Sequence, residues 1–517
     1  MERKWWTLLL VSIATFMLLL DITIVNVALP DIQRDLHASL SSLQWVVDAY
    51  SLMLAAILLT AGSLGDRLGR RRVFSLGFAV FTFASFLCGI SGDPTLLNLA
   101  RGLQGVGGAA MFATSLALIG QEFRGRDRAM AFGVWGAVIG GAVAIGPLVG
   151  GLVTEHLGWQ WIFFINVPIG LIAIALTELR LENVAAQDPE RIDVAGLVTF
   201  SSALFLLIFG LIRGNPEGWS SATILASLIG AVVLLAAFVV IEHRSSHPML
   251  DLSLFRKPAF NGVSAVAFGL SGGMFAAFLY LTIYIQGVLG YSPLQAGLRF
   301  LPLTLLSFFV APISGNLSHR VPVRVLMGIG LGTVGVGLLL MHGVTVDSAW
   351  TTLLAGFLVA GAGIGLTNPG IAQAAIAVVE PARAGMASGI NTTFRQVGIA
   401  TGVAGLGAVF QSRIDSKFAE LMPNAPHGLS DAVASGGSVG AARVAPPGIR
   451  QQVVVDSKIA FVSAFNDILL IAAVLSFLGA ALGLLLIRDR DFVAVPGQEG
   501  PRLAEAPEPA TALVSAD

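Results

Sequence analysis

Charge is what this chain has least of. Only 12% of its 517 residues are charged, where soluble domains carry about a quarter. The net charge is −1, so no bulk electrostatic attraction points to nucleic acid. There is a single cysteine, Cys88. That excludes an intramolecular disulfide framework and any cysteine-based metal cluster. No G-x-x-x-x-G-K-[S/T] loop occurs, which argues against a nucleotide-driven pump. No H-E-x-x-H occurs either, and the seven histidines fall in loops or at the ends of apolar runs. Nothing in the pattern suggests a metal site, a cofactor or an enzyme.

What fills the chain instead is apolar. Hydrophobic residues make up 55% of it, and the mean hydropathy is +0.82. Both values belong to membrane proteins. The 60 glycines suit membrane helices that pack closely on small residues. The N-terminus, "MERKWW", carries Arg3 and Lys4, but the apolar run after it is too long for a cleavable signal. It reads as an uncleaved first span with Trp5 and Trp6 at the interface.

A bilayer core takes about 20 apolar residues per helix. Fourteen candidate spans can be counted, from Thr7–Leu29 to Ile459–Ile487. Alternate loops collect the arginines and lysines: Arg67 and Arg70 to Arg72, then Arg124, Arg126 and Arg128, on to Arg488 and Arg490. The positive-inside rule therefore predicts both termini in the cytoplasm and a multi-pass protein of the plasma (inner) membrane. The expected fold is all-α: a six-helix half over residues 1–180, two inserted helices over 181–258, and a second six-helix half over 259–490. A long external loop, with room for a short helix, is expected at about 411–456 and a disordered cytoplasmic tail at 491–517.

The halves are suggested by repetition. "GSLGDRLGRRRVF" (Gly62–Phe74) and "GNLSHRVPVRVLM" (Gly315–Met327) share G-x-L-x-[D/H]-R. "EFRGRDRAMAFG" (Glu122–Gly133) pairs with "EPARAGMASG" (Glu380–Gly389) at nearly the same offset. Two such halves, related by an axis along the membrane normal, form a transporter architecture with its substrate site between them.

One residue sits oddly in this scheme. Asp21, in "LLLDITIVNVALPD" (Leu18–Asp31), lies in the middle of the first apolar run. A carboxylate at the centre of a membrane helix costs about 2.5 to 3.5 kcal/mol, so a structural helix would carry leucine there. Asp21 enters about 21 Å deep at 1.5 Å per residue. Arg101 is four residues into the oppositely directed fourth span, about 6 Å from the outer face. In a core of about 30 Å the two reach similar depth, so they can pair. Asp21 is expected to line the central cavity, with Arg101 close enough to influence whether it carries a proton.

These stretches resemble the major facilitator superfamily, and within it the fourteen-span drug:proton antiporters of the QacA and EmrB type. The resemblance covers nearly the whole chain. "GSLGDRLGRRRVF" fits the superfamily's loop motif at Gly62, Leu64, Asp66, Arg67, Gly69, Arg70 and Arg71. Gly62 and Gly69 permit tight helix ends and a turn. Asp66 can accept bonds from arginines or cap a neighbouring helix N-terminus. The cluster is expected to act as a cytoplasmic gate. "LNLARGLQGVGGAAM" (Leu97–Met111) resembles the fourth-span motif, with Arg101 as its coupling residue. Its Gly105-x-Gly107-x-x-Ala110 is a near-match to a dinucleotide fingerprint, but no strand precedes it. "GPLVGGL" resembles the antiporter motif of span 5, with Gly146, Pro147, Gly150 and Gly151 as a hinge. "GWQWIFFINVPIG" (Gly158–Gly170) resembles the entry to span 6, and "LDITIVNVALP" the first-span motif.

The resemblance implies a proton-coupled multidrug efflux antiporter that exports lipophilic, cationic compounds by alternating access. Asp21 would bind the proton, and the proton gradient would supply the energy with no cofactor. The same fold could instead export an endogenous metabolite, antibiotic or lipid. Lipophilic small molecules, protons and the bilayer are the implied partners. A periplasmic adaptor is neither required nor excluded. Further polar candidates for the cavity are Asn26, Asp48, Tyr50, Asn391 and Arg395. Arg395 lies about 14 Å into its span, with Asn391 one turn earlier; hydrogen bonding to helix backbones would explain this pair equally well. Asp48 and Tyr50, near the outer end of span 2, could face a vestibule but fit ordinary interfacial positions better. The expected spans 9–13 hold no carboxylate, which argues against dicationic cargo.

Overall fold

The computed structural model describes Glu2 to Arg488 and Phe492, apart from 39, 183–192, 246–247, 249, 319, 381–383 and 424–428. At some helical positions, Asn26 and Pro147 among them, it describes the backbone only. The expected disordered tail falls almost wholly outside the described residues.

Helices α1 (Arg3–Leu36), α2 (Leu40–Leu68), α3 (Arg70–Gly89), α4 (Pro94–Glu122), α5 (Gly125–Leu157) and α6 (Trp161–Arg180) form the first half. Helices α7 (Val194–Glu217) and α8 (Ala222–Arg244) follow. The second half comprises α9 (Pro258–Val288), α10 (Pro293–Leu317), α11 (Val323–Met341), α12 (Trp350–Ala377), α13 (Ala384–Leu421) and α15 (Arg450–Leu486). A short helix, α14 (Leu429–Val444), lies between α13 and α15. Among the described residues, 13 helices are long and apolar enough to cross a membrane. α5 is a continuous 33-residue helix, of which Met130–Ala142 is a shorter apolar segment.

Local chemistry sets several helix starts. The Asp93 carboxylate accepts from the amides of Thr95 and Leu96 at 2.9 and 3.0 Å, and Pro94 occupies the first turn of α4. Ser292 and Gln295 make a reciprocal capping box at the start of α10. Each such cap satisfies amides that the helix itself cannot.

Packing repeats between the halves. α2 and α3 pack on α4 as α10 and α11 pack on α12; α1 meets α5 as α9 meets α13; α3 meets α6 as α11 meets α15. Across the seam, α2 packs on α13 and α5 on α10, and the pseudo-two-fold exchanges these two contacts. α7 lies against the α2–α13 seam. Its Ser201 Oγ is 2.8 Å from Thr60 Oγ1 of α2, and Asn215 donates to the Ala404 carbonyl of α13 at 3.0 Å.

Two expected loops are different in the structure. The stretch Gly62–Phe74 is nearly all helix: α2 runs to Leu68, α3 starts at Arg70, and Gly69 alone turns the chain at φ 99°. Only a residue without a Cβ adopts that angle readily. Gly62 therefore lies inside α2 rather than at its end. The expected external loop at 411–456 is also largely helical, because α13 continues to Leu421, α14 follows, and α15 begins at Arg450. Its low hydropathy hides a packing stripe. Leu429, Val433 and Ala441 are buried, and Ser438 donates to the Gly287 carbonyl at 3.0 Å, docking α14 on the end of α9.

Candidate functional site

Glycine decides how close α4 comes to its neighbours. A Cβ on Gly105 would stand 2.4 Å from the Tyr50 carbonyl of α2, and one on Gly107 would stand 2.5 Å from the Phe81 amide of α3. One on Gly108 would meet the Leu18 side chain of α1 at 2.9 Å. The glycines of "GLQGVGG" therefore seat α4 among α1, α2 and α3, and bring its polar face onto Asp21.

That face carries Arg101 and Gln104, one turn apart. Arg101 Nη1 donates to Asp21 Oδ2 at 2.5 Å and to Gln104 Oε1 at 2.7 Å, and its Nε donates to the Val46 carbonyl at 2.9 Å. Gln104 Nε2 donates to Asp21 Oδ1 and to Ser85 Oγ, both at 2.9 Å. The guanidinium also lies over the Tyr50 ring, 4.4 Å from its centroid. Both carboxylate oxygens thus accept a bond, and the charge is matched. Burial of such a pair is tolerable only when its hydrogen bonds are satisfied in this way.

The site is sealed. Asp21 is 3% exposed, Arg101 1%, and Gln104 and Tyr50 not at all. Asp21 therefore does not line an open cavity as the sequence suggested; it faces α4 inside the first half. Tyr50 lies under the guanidinium rather than in a vestibule. Gln104 and Ser85 were not among the sequence candidates. The available signal for Gln104 was its i+3 spacing from Arg101 on one helix face.

The halves are closed against each other at the Gly69 face. Arg70 donates to Asp66 Oδ1 through Nε at 3.1 Å and Nη2 at 2.9 Å. The other oxygen, Oδ2, accepts the Met386 amide in the first turn of α13 at 2.8 Å. Both bonding modes open to Asp66 in the sequence thus occur together, and the second joins the two halves. Beside it, Ala372, Ile376 and Ala384 of the second half continue the apolar core of the first. Arg71 pairs with Glu178 at 3.0 Å, and Arg67 donates to the Pro248 carbonyl at 3.2 Å.

An anion at a helix N-terminus is stabilised by the aligned peptide dipoles. Asp66→Asn should therefore weaken closure at this face. Single cysteines in the last turns of α4 and α12 should become more reactive to a water-soluble maleimide, by about two- to fivefold for a loss of about 0.3 to 1 kcal/mol. Unchanged labelling would mean that Asp66 does not hold the seam.

Gly146 and Gly150 face α1: a Cβ on Gly150 would meet Ile24 Cγ1 at 2.9 Å, and one on Gly146 would overlap the Thr23 side chain. Gly151 has open space around it. α5 runs through Pro147 without a break. The side chains of Asn26 and Pro147 lie outside the described set. Asp48 Oδ2 stands 4.0 Å from Arg213 Nη1 of α7, and Arg213 also donates to Glu217 at 2.8 Å. In the second half, Arg395 Nη2 donates to Asn368 Oδ1 of α12 at 2.9 Å. Asn391 is buried on the same face of α13.

The sequence pattern of the Major Facilitator Superfamily matches residues 11–403. The chain belongs to the major facilitator superfamily. Among superfamily relatives, it is 36% identical to the tetracenomycin C resistance and export protein of Streptomyces glaucescens, over 80% of this chain and 78% of that one. It is also 36% identical to the multidrug resistance protein Stp of Mycobacterium tuberculosis (strain CDC 1551 / Oshkosh), over 83% and 79%. The superfamily fold is shared with the proton:xylose symporter XylE at a TM-score of 0.61 and 13% identity, over 94% of this chain and 96% of that one. The two-half, all-helical architecture is thus the major facilitator fold with two helices inserted between the halves. Membership points to transport rather than catalysis, by a multi-pass membrane protein.

Proposed function

We propose that the protein is a proton-coupled antiporter that exports lipophilic compounds from the cell, with Asp21 as its proton site. The observation that carries this reading is the Asp21–Arg101–Gln104 cluster. It is a satisfied, sealed carboxylate inside one half of a two-half transporter. Protonating Asp21 removes its charge and frees Arg101, so the cluster can be exchanged for another arrangement when the halves rock. Each elementary charge that crosses the field gains about 2.3 kcal/mol per 100 mV, enough to bias that exchange. Arg101 is then the coupling residue. Asp66, Arg70 and the Gly69 turn act as the gate, and the α1–α5 contact at Gly146 and Gly150 is the surface on which α5 moves.

The arginine-rich loops put the Gly69 face and both termini in the cytoplasm, so the state described here is closed inward. With α5 added to the 13 long apolar helices, the spans number fourteen, as in a QacA/EmrB-type exporter. The names of the relatives support drug or antibiotic export. They also favour a second reading, in which the physiological cargo is an antibiotic. Because Arg101 and Gln104 already occupy both oxygens of Asp21, the geometry does not require a cationic cargo. Proton and cargo would compete through conformation rather than for one carboxylate.

A drug-susceptibility panel tests the reading. A sensitive host expressing the wild-type chain should tolerate at least one class of lipophilic compound better than the host alone, and the host expressing Asp21→Asn should not. Equal protection by the variant at equal expression would remove Asp21 from the mechanism.

A further inference from the structure

The second half holds a half-buried cation within a membrane-spanning helix that the proton site does not use. Between Pro258 and Phe410 the only carboxylates are Asp347 and Glu380, both exposed and both outside the helices. Arg395 therefore has no acidic side chain within α9 to α12; on α13 the nearest carboxylate, Asp415, lies 20 residues further along the helix, and the bond of Arg395 to Asn368 is to a neutral oxygen. A guanidinium at this depth is costly without a counter-charge.

Its position follows from the helix wheel, at about 100° per residue. Gly389 of α13 packs on Leu58 and Leu59 of α2, while Gly398 and Gly402 pack on Phe268 and Gly272 of α9. Arg395 falls between these two contacts, on the arc that also carries Ile399 and faces the seam between the halves. Both residues stay partly exposed there. Phe394, on the other arc, belongs to a lateral groove between α9 and α15. One turn before Arg395, Asn391 is 4% exposed, and its Nδ2 donor has no partner among the described residues. A buried donor left unsatisfied costs free energy until an acceptor arrives. Two donor groups one turn apart on α13, one of them charged and the other without a partner, call for an anionic oxygen between them, and guanidinium geometry suits a planar carboxylate or a phenolate.

We propose that Arg395 and Asn391 bind a carboxylate or phenolate oxygen of the cargo in the seam between the two halves. The inference rests on the export reading and names the chemistry of its cargo: a lipophilic body with one acidic oxygen group.

The test compares rhodamine B, which has a free carboxylate, with rhodamine B ethyl ester, which does not. Efflux is followed by fluorescence from loaded cells that express the full chain and lack their own exporters. The wild type should prefer the acid. Arg395→Gln should lower the acid-to-ester ratio about tenfold, as expected for losing a charge-assisted bond. Asn391→Leu should lower it less, and Arg395→Lys should retain part of it. Size-exclusion profiles of the detergent-extracted proteins check folding; if Arg395→Gln fails there, the Lys and Leu variants carry the test. A uniform loss for both dyes, or a wild type that exports only the ester, would overturn the inference and leave the export reading standing. A wild type that exports neither dye would overturn the inference, and the export reading would then fall only if the susceptibility panel also showed no protection.

Discussion

Asp21→Asn and Arg101→Gln, made singly, should each destabilise the protein by about 3 to 5 kcal/mol, because each leaves its partner charged and buried. The double variant should recover most of that loss. Asn and Gln can still hydrogen-bond to each other and to Gln104, and no net charge then remains in the cluster. Proton-driven export should stay lost in all three, since none keeps both the carboxylate and its guanidinium. Unfolding midpoints in mild detergent give the cycle: the coupling between the sites is the non-additive part. Additive losses would mean that the 2.5 Å contact contributes nothing specific.

Gly105→Val should be nearly as damaging, although it changes no polar group. Its Cβ would overlap the Tyr50 carbonyl, which is backbone and cannot rotate away. Overpacking of this kind costs about 1 to 3 kcal/mol even where a core can adjust. Here it must push α4 off α2, which draws Arg101 away from the Val46 carbonyl and from Asp21. Gly102→Ala is the control. Its Cβ would lie 3.6 Å from Met53 Cγ, an ordinary contact, and export should persist. If Gly105→Val kept its activity, the glycines of α4 would not be what positions the cluster.

The sequence revealed the parts of this arrangement that obey fixed arithmetic. Helical rise alone placed Asp21 and Arg101 at one depth, and the structure brings them into contact. Rotation about the helix axis is not written in a uniformly apolar run, so the direction of Asp21 could not be read; it points into α4, not into a cavity. Gln104 was missed because an amide in a glycine-rich run looks unremarkable until its neighbours are known. Gly62 was read as a helix end because glycine weakens helices, yet packing kept α2 helical to Leu68. Residues 411–456 looked like a loop because their buried stripe is a sparse set of apolar residues, among them Leu429, Val433 and Ala441, between polar and small ones. In each case tertiary contacts outweighed local propensity.

The central claim is that Asp21 couples proton movement to export. Purified wild-type protein and Asp21→Asn can be reconstituted in liposomes with a compound to which the wild type confers resistance. An imposed pH gradient should accelerate uptake by the wild type, and a protonophore should abolish that acceleration. Asp21→Asn should still exchange the compound down its own gradient but should not respond to the pH gradient. Gradient-driven uptake by Asp21→Asn at the wild-type rate would contradict the account.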